Sequence, residues 1–276
     1  MKALTSKRSS LWPWQPMLSI VVAVVIPLSA PAWNCKTALD PQKQHQKTVA
    51  WVDQQKQIAF KIMVDGSQKA SRTIALGRRF LAPISLGDRE ISNLGEDNFQ
   101  KTARYVLDHL DQLDVNKETA IRLNKMLTKG LVPEKERGNY LYRQEGSYGY
   151  QTDDFVKGNP KIFYHWLDSK TAKELAIHDP VTLAEIIHNN IVALDSFPDG
   201  NGRLSRVFAD MVLLKAGLAP AYYTDMSDYF KRGTPRGIQG VSIPASRASR
   251  VEYFREIVEN GQRAMNLDSC TLSDFH

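Results

Sequence analysis

The sequence predicts a mainly helical protein, because helical periodicity is its most frequent pattern. Two apolar stripes with the spacing of a buried helix face stand close together in the chain. They comprise Leu183, Ile187, Ile191 and Leu194, and then Val207, Met211 and Leu214. A glycine-rich loop lies between them. The hydrophobic content of 42% and the charged content of 24% are typical of globular proteins, so we expect a packed core.

The first 32 residues have the pattern of a secretory signal peptide. Three basic residues precede an apolar run at 17–28, and Ala30-Pro31-Ala32 then offers small residues for cleavage. A membrane anchor is the alternative, although the run is shorter than the roughly 20 residues of a spanning helix. We therefore expect export to a periplasm or the exterior, with membrane attachment only if residues 1–32 are retained.

Charge and cysteine content narrow the function classes. The formal net charge is +6 for the whole chain and +3 without residues 1–32, which is too small an excess to indicate nucleic-acid binding. The two cysteines, Cys35 and Cys270, are too few for a zinc site of their own. In an oxidising compartment they either pair or remain free thiols, and the sequence leaves both alternatives open.

The remaining chain divides into an extension, a domain and a tail. Residues 33–95 are predicted to form an N-terminal helical extension and linker, in which Asp65-Gly66 marks a break. Regular helix is predicted to resume near Glu96, and residues 96–265 form the main domain, closed by an amphipathic helix. Residues 266–276 are predicted to be a C-terminal tail.

The loop between the two apolar stripes carries the strongest chemical signal. Residues 195–206 read Asp-Ser-Phe-Pro-Asp-Gly-Asn-Gly-Arg-Leu-Ser-Arg, so glycines lie where the second helix is predicted to begin. Backbone N–H groups at a helix start form an anion site, and the guanidinium groups of Arg203 and Arg206 suit phosphate. The alternative is an ordinary tight turn with two solvated arginines.

This stretch resembles the signature of the Fic family, His-Pro-Phe-x-Asp/Glu-Gly-Asn-Gly-Arg-x-x-Arg. The matching positions are Phe197, Asp199, Gly200, Asn201, Gly202, Arg203 and Arg206. His188 also matches a histidine that is common on the preceding helix of the family, where we expect a packing role. The chain departs from the signature at two positions, because Asp195 replaces the catalytic histidine and Ser196 replaces the proline.

The resemblance implies a helical bundle with a small β-hairpin flap, and the transfer of AMP from ATP, or of another phosphate-linked group, to a protein hydroxyl. It places Mg²⁺ on Asp199 and an anion cradle at Gly200, Asn201 and Gly202. Arg203 would neutralise the phosphates with support from Arg206. The family's flap docks an extended segment of the target protein, and residues 140–165 are predicted to form it here.

Asp195 leaves the activity open. In the family, the histidine at this position removes the proton from the incoming hydroxyl, and an ordinary aspartate, with a pKa near 3.9 against about 6.5, is a weaker base. Protein kinases nevertheless use an aspartate for this step. Asp195 is therefore a base in a slower enzyme, a second metal ligand beside Asp199, or the mark of a protein that binds a nucleotide or partner without transfer.

Many members of the family are inhibited by a glutamate that pairs with the second motif arginine. The glutamate lies in a Ser/Thr-x-x-x-Glu-Gly/Asn helix. Two stretches of this chain, Ser92 to Asp97 and Arg255 to Asn260, match that pattern at all but one position. We expect both matches to be fortuitous.

Overall fold

A computed structural model describes residues 41–71, 87–142, 159–234 and 245–270. These ranges fall within one compact unit, Leu39–His276. Their regular secondary structure is helical, and no strand occurs within them. The predicted mainly α class is thereby confirmed.

The described helices differ widely in length, from three residues to 31. They are α1 Pro41–Ser71, α2 Asp88–Asp108, α3 Lys117–Leu127, α4 Pro160–Trp166, α5 Lys170–His178, α6 Pro180–Leu194, α7 Asn201–Lys215, α8 Met226–Asp228 and α9 Arg247–Cys270. A π-helical turn, Tyr229–Gly233, follows α8.

Helices α6 and α7 form the centre of the fold. Every residue from Leu183 to Leu194 in α6 is buried, and so is every residue from Arg203 to Leu213 in α7. The two helices pack against each other, with α1, α2 and α3 on α7 and with α5 and α9 on α6. A helix surrounded in this way places even its polar side chains inside the protein, where they need partners.

Local sequence explains where several helices begin. The side chain of Asn116 accepts a hydrogen bond from Thr119 N at 2.8 Å at the start of α3. Asp179 accepts one from Thr182 N at 3.2 Å at the start of α6, and Pro180 follows it. Both arrangements satisfy N–H groups that have no partner within the first turn of a helix.

Two predicted boundaries in the N-terminal half are wrong. Helix α1 continues through Asp65-Gly66 to Ser71, and α2 begins at Asp88 rather than near Glu96. Gly66 lies in a close contact, since a Cβ there would be 3.3 Å from the ring of Tyr223. A glycine at position 66 is therefore explained by close packing against a distant segment, and not by a local turn.

The predicted flap falls largely outside the described residues, which leave out 143–158. The prediction is wrong for its last part, because Pro160–Trp166 form α4. Asn159 caps this helix by accepting from Lys161 N at 2.9 Å. Phe163 and Tyr164, which lie within the range predicted for the flap, are fully buried in the core.

The two ends of the chain are only partly described. Residues 1–32, Cys35 and residues 271–276 lie outside the described ranges. Helix α9 runs to Cys270, so the predicted tail is helical over its first five residues. None of the described helices combines the length and the apolar character needed to cross a membrane.

Candidate functional site

The motif loop, which we define as residues 195–200, joins α6 to α7 through two left-handed residues. Asp195 ends α6 with φ 46° and ψ 39°, and its N–H donates to Ile191 O at 3.1 Å. Gly200 precedes α7 with φ 80° and accepts the first hydrogen bond of that helix, from Leu204 N at 2.8 Å. Glycine adopts such a φ without strain, whereas an aspartate does so at some cost.

Asn201 holds the loop in shape. Its Oδ1 accepts from Phe197 N at 3.1 Å and its Nδ2 donates to Phe197 O at 2.9 Å. Phe197 is fully buried and contacts the ring of Tyr164 edge to face, with 5.7 Å between centroids. The Asn201 side chain, predicted as part of the anion cradle, therefore bonds the loop itself.

Arg203 is buried and held by three acceptors. It donates to Gly95 O at 3.2 Å, to Leu127 O at 3.0 Å and to the Asp199 carboxylate at 3.0 Å. Its side chain is only 5% exposed. The guanidinium group thus ties the motif loop to the main chain of α2 and α3.

Asp199 lies at the edge of the site, with its side chain 22% exposed. Besides Arg203, it bonds the N–H of Gly200 through Oδ1 at 2.6 Å. These contacts hold the carboxylate beside the first turn of α7.

Arg206 lies one turn further along α7 and is also buried. Its Nε and one Nη donate to the hydroxyl of Ser67 in α1, at 3.3 and 3.2 Å. Glu96 and Glu259, the glutamates of the two near matches to the inhibitory pattern, are exposed on α2 and α9. The second motif arginine therefore meets a hydroxyl of α1 rather than either of those carboxylates.

A buried group of titratable side chains surrounds Arg206. Burial and the charge of Arg206 lower the pKa of His188 to about 3. Its Nε2 forms a hydrogen bond with the Tyr229 hydroxyl at 3.2 Å. Burial raises the pKa of Asp210 to about 7, against the opposing effects of the Ala221 N–H and Arg206. His188 is fully buried among aromatic rings, which agrees with its predicted packing role.

Asp195, the predicted base, is half-buried at the C-terminal end of α6. Ser196 beside it is fully buried. Gly202 lies in the first turn of α7, and a Cβ there would be 3.6 Å from a guanidinium nitrogen of Arg206. The structure thus gathers all seven predicted site residues at the loop and the first two turns of α7, with both arginines facing inward.

Among the described residues, the site offers too few side-chain ligands to hold a metal ion without help from a substrate. Within the described ranges, no group of three or more His, Cys, Asp or Glu side chains is arranged to hold a metal. Mg²⁺ usually binds through one or two carboxylates together with substrate phosphates. Asp199 fits that requirement, since its carboxylate oxygens keep lone pairs beyond the contacts with Gly200 and Arg203.

Three residues at or near the motif were not predicted from the sequence: two of them contact it, and the charge of Arg206 acts on the third. Asn124 in α3 donates to Asp199 O at 2.9 Å, Ser67 in α1 accepts from Arg206, and Asp210 in α7 accepts from Ala221 N at 2.9 Å. Asn124 interrupts the apolar face formed by Ala120, Leu123 and Leu127, and that interruption is a signal in the sequence. Ser67 and Asp210 carry no comparable signal.

Comparisons with known proteins agree with the motif. A model of the Fic/DOC family matches residues 114–213. The protein adenylyltransferase Fic of Drosophila virilis is 40% identical over 99 residues, which are 36% of this chain and 16% of that protein. The protein adenylyltransferase and cysteine protease IbpA of Histophilus somni is 26% identical over 209 residues, 73% of this chain and 5% of that protein.

Among solved structures, Fic-1 of C. elegans aligns with a TM-score of 0.47 at 12% identity, over 85% of this chain and 77% of the other. The chain spans less than a fifth of the length of the two relatives above. The family match covers α3 to α7 almost completely and includes the motif loop. The match of the Fic/DOC family model to residues 114–213 confirms the resemblance that the signature in the sequence indicates.

Proposed function

We propose that this protein transfers AMP, or another phosphate-linked group, from a nucleotide to a hydroxyl group of a protein. One observation carries the proposal: the Fic signature forms a loop that ends at the start of a buried helix, within the segment that matches the family. The relatives named above are protein adenylyltransferases, and the proposal extends that activity to this chain.

The start of α7 supplies the features that a phosphate chain needs. The first N–H groups of a helix have no partner within it, and they carry the positive end of the helix dipole. A guanidinium nitrogen of Arg203 lies 3.8 Å from where a Cβ of Gly200 would be. A negatively charged phosphate would therefore meet both amide donors and a fixed cation.

Asp199 is the residue that would hold Mg²⁺ on the nucleotide. The ion, when bound, neutralises negative charge on the phosphates. The contact of Asp199 with Gly200 N keeps its carboxylate next to the proposed phosphate site. ATP is the proposed donor, on the strength of the relatives' names.

Asp195 would accept the proton of the target hydroxyl. The hydroxyl oxygen then attacks the α-phosphorus, the bond between the α-phosphorus and the bridging oxygen breaks, and pyrophosphate leaves. Base catalysis of this kind contributes about 10²- to 10⁴-fold. We expect the protein to be slower than a relative with histidine at this position, because aspartate is the weaker base.

The test is a donor panel. The full chain is incubated with Mg²⁺, candidate target proteins and labelled ATP, UTP, GTP or CDP-choline, and nucleotide binding and transfer are recorded separately. We expect label transfer from one donor, a fall of at least 100-fold in Asp195→Ala, and weaker nucleotide binding in Arg203→Ala. The absence of transfer and of self-modification with every donor would contradict the proposal.

A second function is favoured by the departures at 195 and 196. A Fic-fold protein that binds a nucleotide or a partner without transfer would retain the glycine and arginine residues of the motif and lack its histidine, as this sequence does. For such a protein, wild-type nucleotide binding would occur without turnover, and Asp195→His would create transfer activity. Turnover by the wild-type protein that is lost in Asp195→Ala would exclude this function.

We also propose that the protein is exported and acts on a protein substrate outside the cytoplasm of the producing cell. The apolar segment in residues 1–32 and its small residues before position 33 support export. Expression of the full chain followed by N-terminal sequencing of the exported product tests this proposal. Product that begins at Trp33 in the exported fraction is expected, whereas full-length product confined to the cytoplasm would contradict export.

A further inference from the structure

Asn124 is an unusual residue for its position. It lies in the middle of α3 and is fully buried, between the apolar side chains of Ala120, Leu123 and Leu127. An amide in such a place costs stability unless its hydrogen bonds are satisfied. Both ends of the Asn124 side chain are in fact bonded, and both partners are main-chain groups of loops.

One partner belongs to the motif loop. The Nδ2 of Asn124 donates to Asp199 O at 2.9 Å. That carbonyl belongs to the peptide unit between Asp199 and Gly200, so its direction also fixes the direction of the Gly200 N–H. The contact is close, because a Cβ on Gly200 would lie 3.3 Å from the same nitrogen.

The other partner belongs to a turn after α3, which we call the 137–140 turn. Gly138 N donates to Asn124 Oδ1 at 3.2 Å, and Gly138 has φ 76°. A chain of aromatic rings joins the same two regions by a second route. Tyr140 contacts Tyr164 at 5.2 Å between centroids, and Tyr164 contacts Phe197 at 5.7 Å.

We propose that Asn124 is a positioning residue, which sets the peptide between Asp199 and Gly200 and binds it to the 137–140 turn. The part concerning nucleotide rests on the proposed function above. An amide is required because it offers a donor to Asp199 O and an acceptor to Gly138 N at once. A carboxylate can accept from Gly138 N but cannot donate to a carbonyl, and an alanine can do neither.

Replacement of Asn124 by aspartate and by alanine should therefore change amide hydrogen exchange in different places. In the nucleotide-free protein, we expect Asn124→Asp to speed amide hydrogen exchange in the motif loop about tenfold while the Gly138 amide stays protected. Asn124→Ala should speed exchange in both places. Asn124→Ala also keeps the test decisive if the buried carboxylate prevents folding, because it introduces no charge.

Asn116→Ala is the matched control. It removes the N-cap of the same helix and destabilises α3 without touching either loop. We expect its exchange to rise at the start of α3 while the motif loop and Gly138 remain at wild-type rates. With ATP and Mg²⁺, the dissociation constant should rise about tenfold in both Asn124 variants and stay unchanged in Asn116→Ala.

The outcomes separate this proposal from the proposed function. If the Asn124 variants show the same exchange pattern as Asn116→Ala, the positioning role is overturned, whatever the nucleotide result. If the wild-type chain binds no nucleotide, the proposed function fails, and the exchange pattern alone still decides the role of Asn124.

Discussion

The two motif arginines are three residues apart on one buried helix, yet they are held in different ways. Arg203 donates to two main-chain carbonyls and to the carboxylate of Asp199. Arg206 donates from two nitrogens to the hydroxyl of Ser67, a residue of α1. The first arginine is thus fastened to the framework of α2, α3 and the motif loop, and the second bonds a helix that precedes the family segment.

This difference suggests a division of roles. A charge matched by a neighbouring carboxylate and fixed carbonyls keeps one position, which suits a group that would shape the proposed phosphate site. Arg206 donates to a hydroxyl of α1 and lies where its charge acts on Asp210, so its surroundings depend on how α1 packs and on whether Asp210 is protonated. The predictions below test whether the two sides of α7 behave differently, beginning with the largest expected effect.

Removal of Arg203 should be the most damaging change. Arg203→Met leaves two buried carbonyls and Asp199 without the guanidinium group, so we expect the free energy of unfolding to fall by about 3 to 5 kcal/mol. Urea denaturation measures the change, with Arg203→Lys as a control that keeps the charge and loses the fork of donors. A loss below about 1 kcal/mol would show that Arg203 does not anchor the loop.

Asp210 should make the Arg206 side sensitive to pH. Its pKa is raised to about 7 in the folded protein, against about 3.9 when unfolded, so the folded state binds more protons between these values. Stability contributed by protonated Asp210 is therefore full below about pH 4 and is lost as pH rises toward about 7.

The measurement compares urea unfolding of wild type and Asp210→Asn across that range. Relative to the variant, the wild type should lose on the order of 3 to 4 kcal/mol between about pH 4 and pH 7. Asparagine retains the acceptor for Ala221 N, and both proteins share the opposite trend from His188, whose pKa is lowered to about 3. Parallel pH profiles would show that Asp210 does not titrate in this window.

Substitution of Gly200 and of Gly202 by alanine should have different effects on stability, because the space for a Cβ differs at the two positions. At Gly200, on the Arg203 side, φ is 80° and a Cβ would lie 3.0 Å from Thr128, so Gly200→Ala should cost about 2 kcal/mol. At Gly202, on the Arg206 side, the nearest atom is 3.6 Å away, and alanine should change stability by less than about 1 kcal/mol. Thermal unfolding compares the two variants, and equal losses would contradict the distinction.

The smallest effect is expected at Ser67. Ser67→Ala removes the hydroxyl that Arg206 contacts and should lower stability by about 1 kcal/mol. Ser205→Ala is the matched control, because that serine is also buried and its hydroxyl donates within its own helix, to Gly202 O at 2.9 Å. If the two variants respond alike to the removal of Arg206 in double-mutant cycles, Ser67 has no specific coupling to it.

The sequence predicted the centre of the fold well, because its signals there are local. The apolar spacing in α6 and α7, and the loop that ends at Asp199-Gly200 between them, depend on neighbours in the chain. By contrast, two features depend on residues distant in the chain: the continuation of α1 through Gly66 and the helix at Pro160–Trp166. At Gly66, packing against Tyr223 outweighs the local turn signal. At 160–166, burial of Phe163 in the core outweighs the local pattern from which a flap was predicted.

The candidate site divides in the same way. The motif residues were found because they stand together in twelve consecutive positions. Asn124, Ser67 and Gly95 reach the motif from helices that are distant in the chain, so the spacing within the motif does not reveal them. Asn124 alone leaves a local sign, because it interrupts an apolar helix face. The burial of Arg203 could not be predicted from the sequence either, because charged side chains at the start of a helix are usually exposed to solvent.

The left-handed backbone at Asp195 has a consequence for how this position can change in evolution. Aspartate, asparagine and histidine are the side chains that adopt such a φ most readily, so the family's histidine and this chain's aspartate suit the same conformation. An exchange between them alters the proton chemistry without requiring the loop to refold. Under the proposed function, the change of a single codon would therefore exchange one base for the other while the surrounding architecture stays intact.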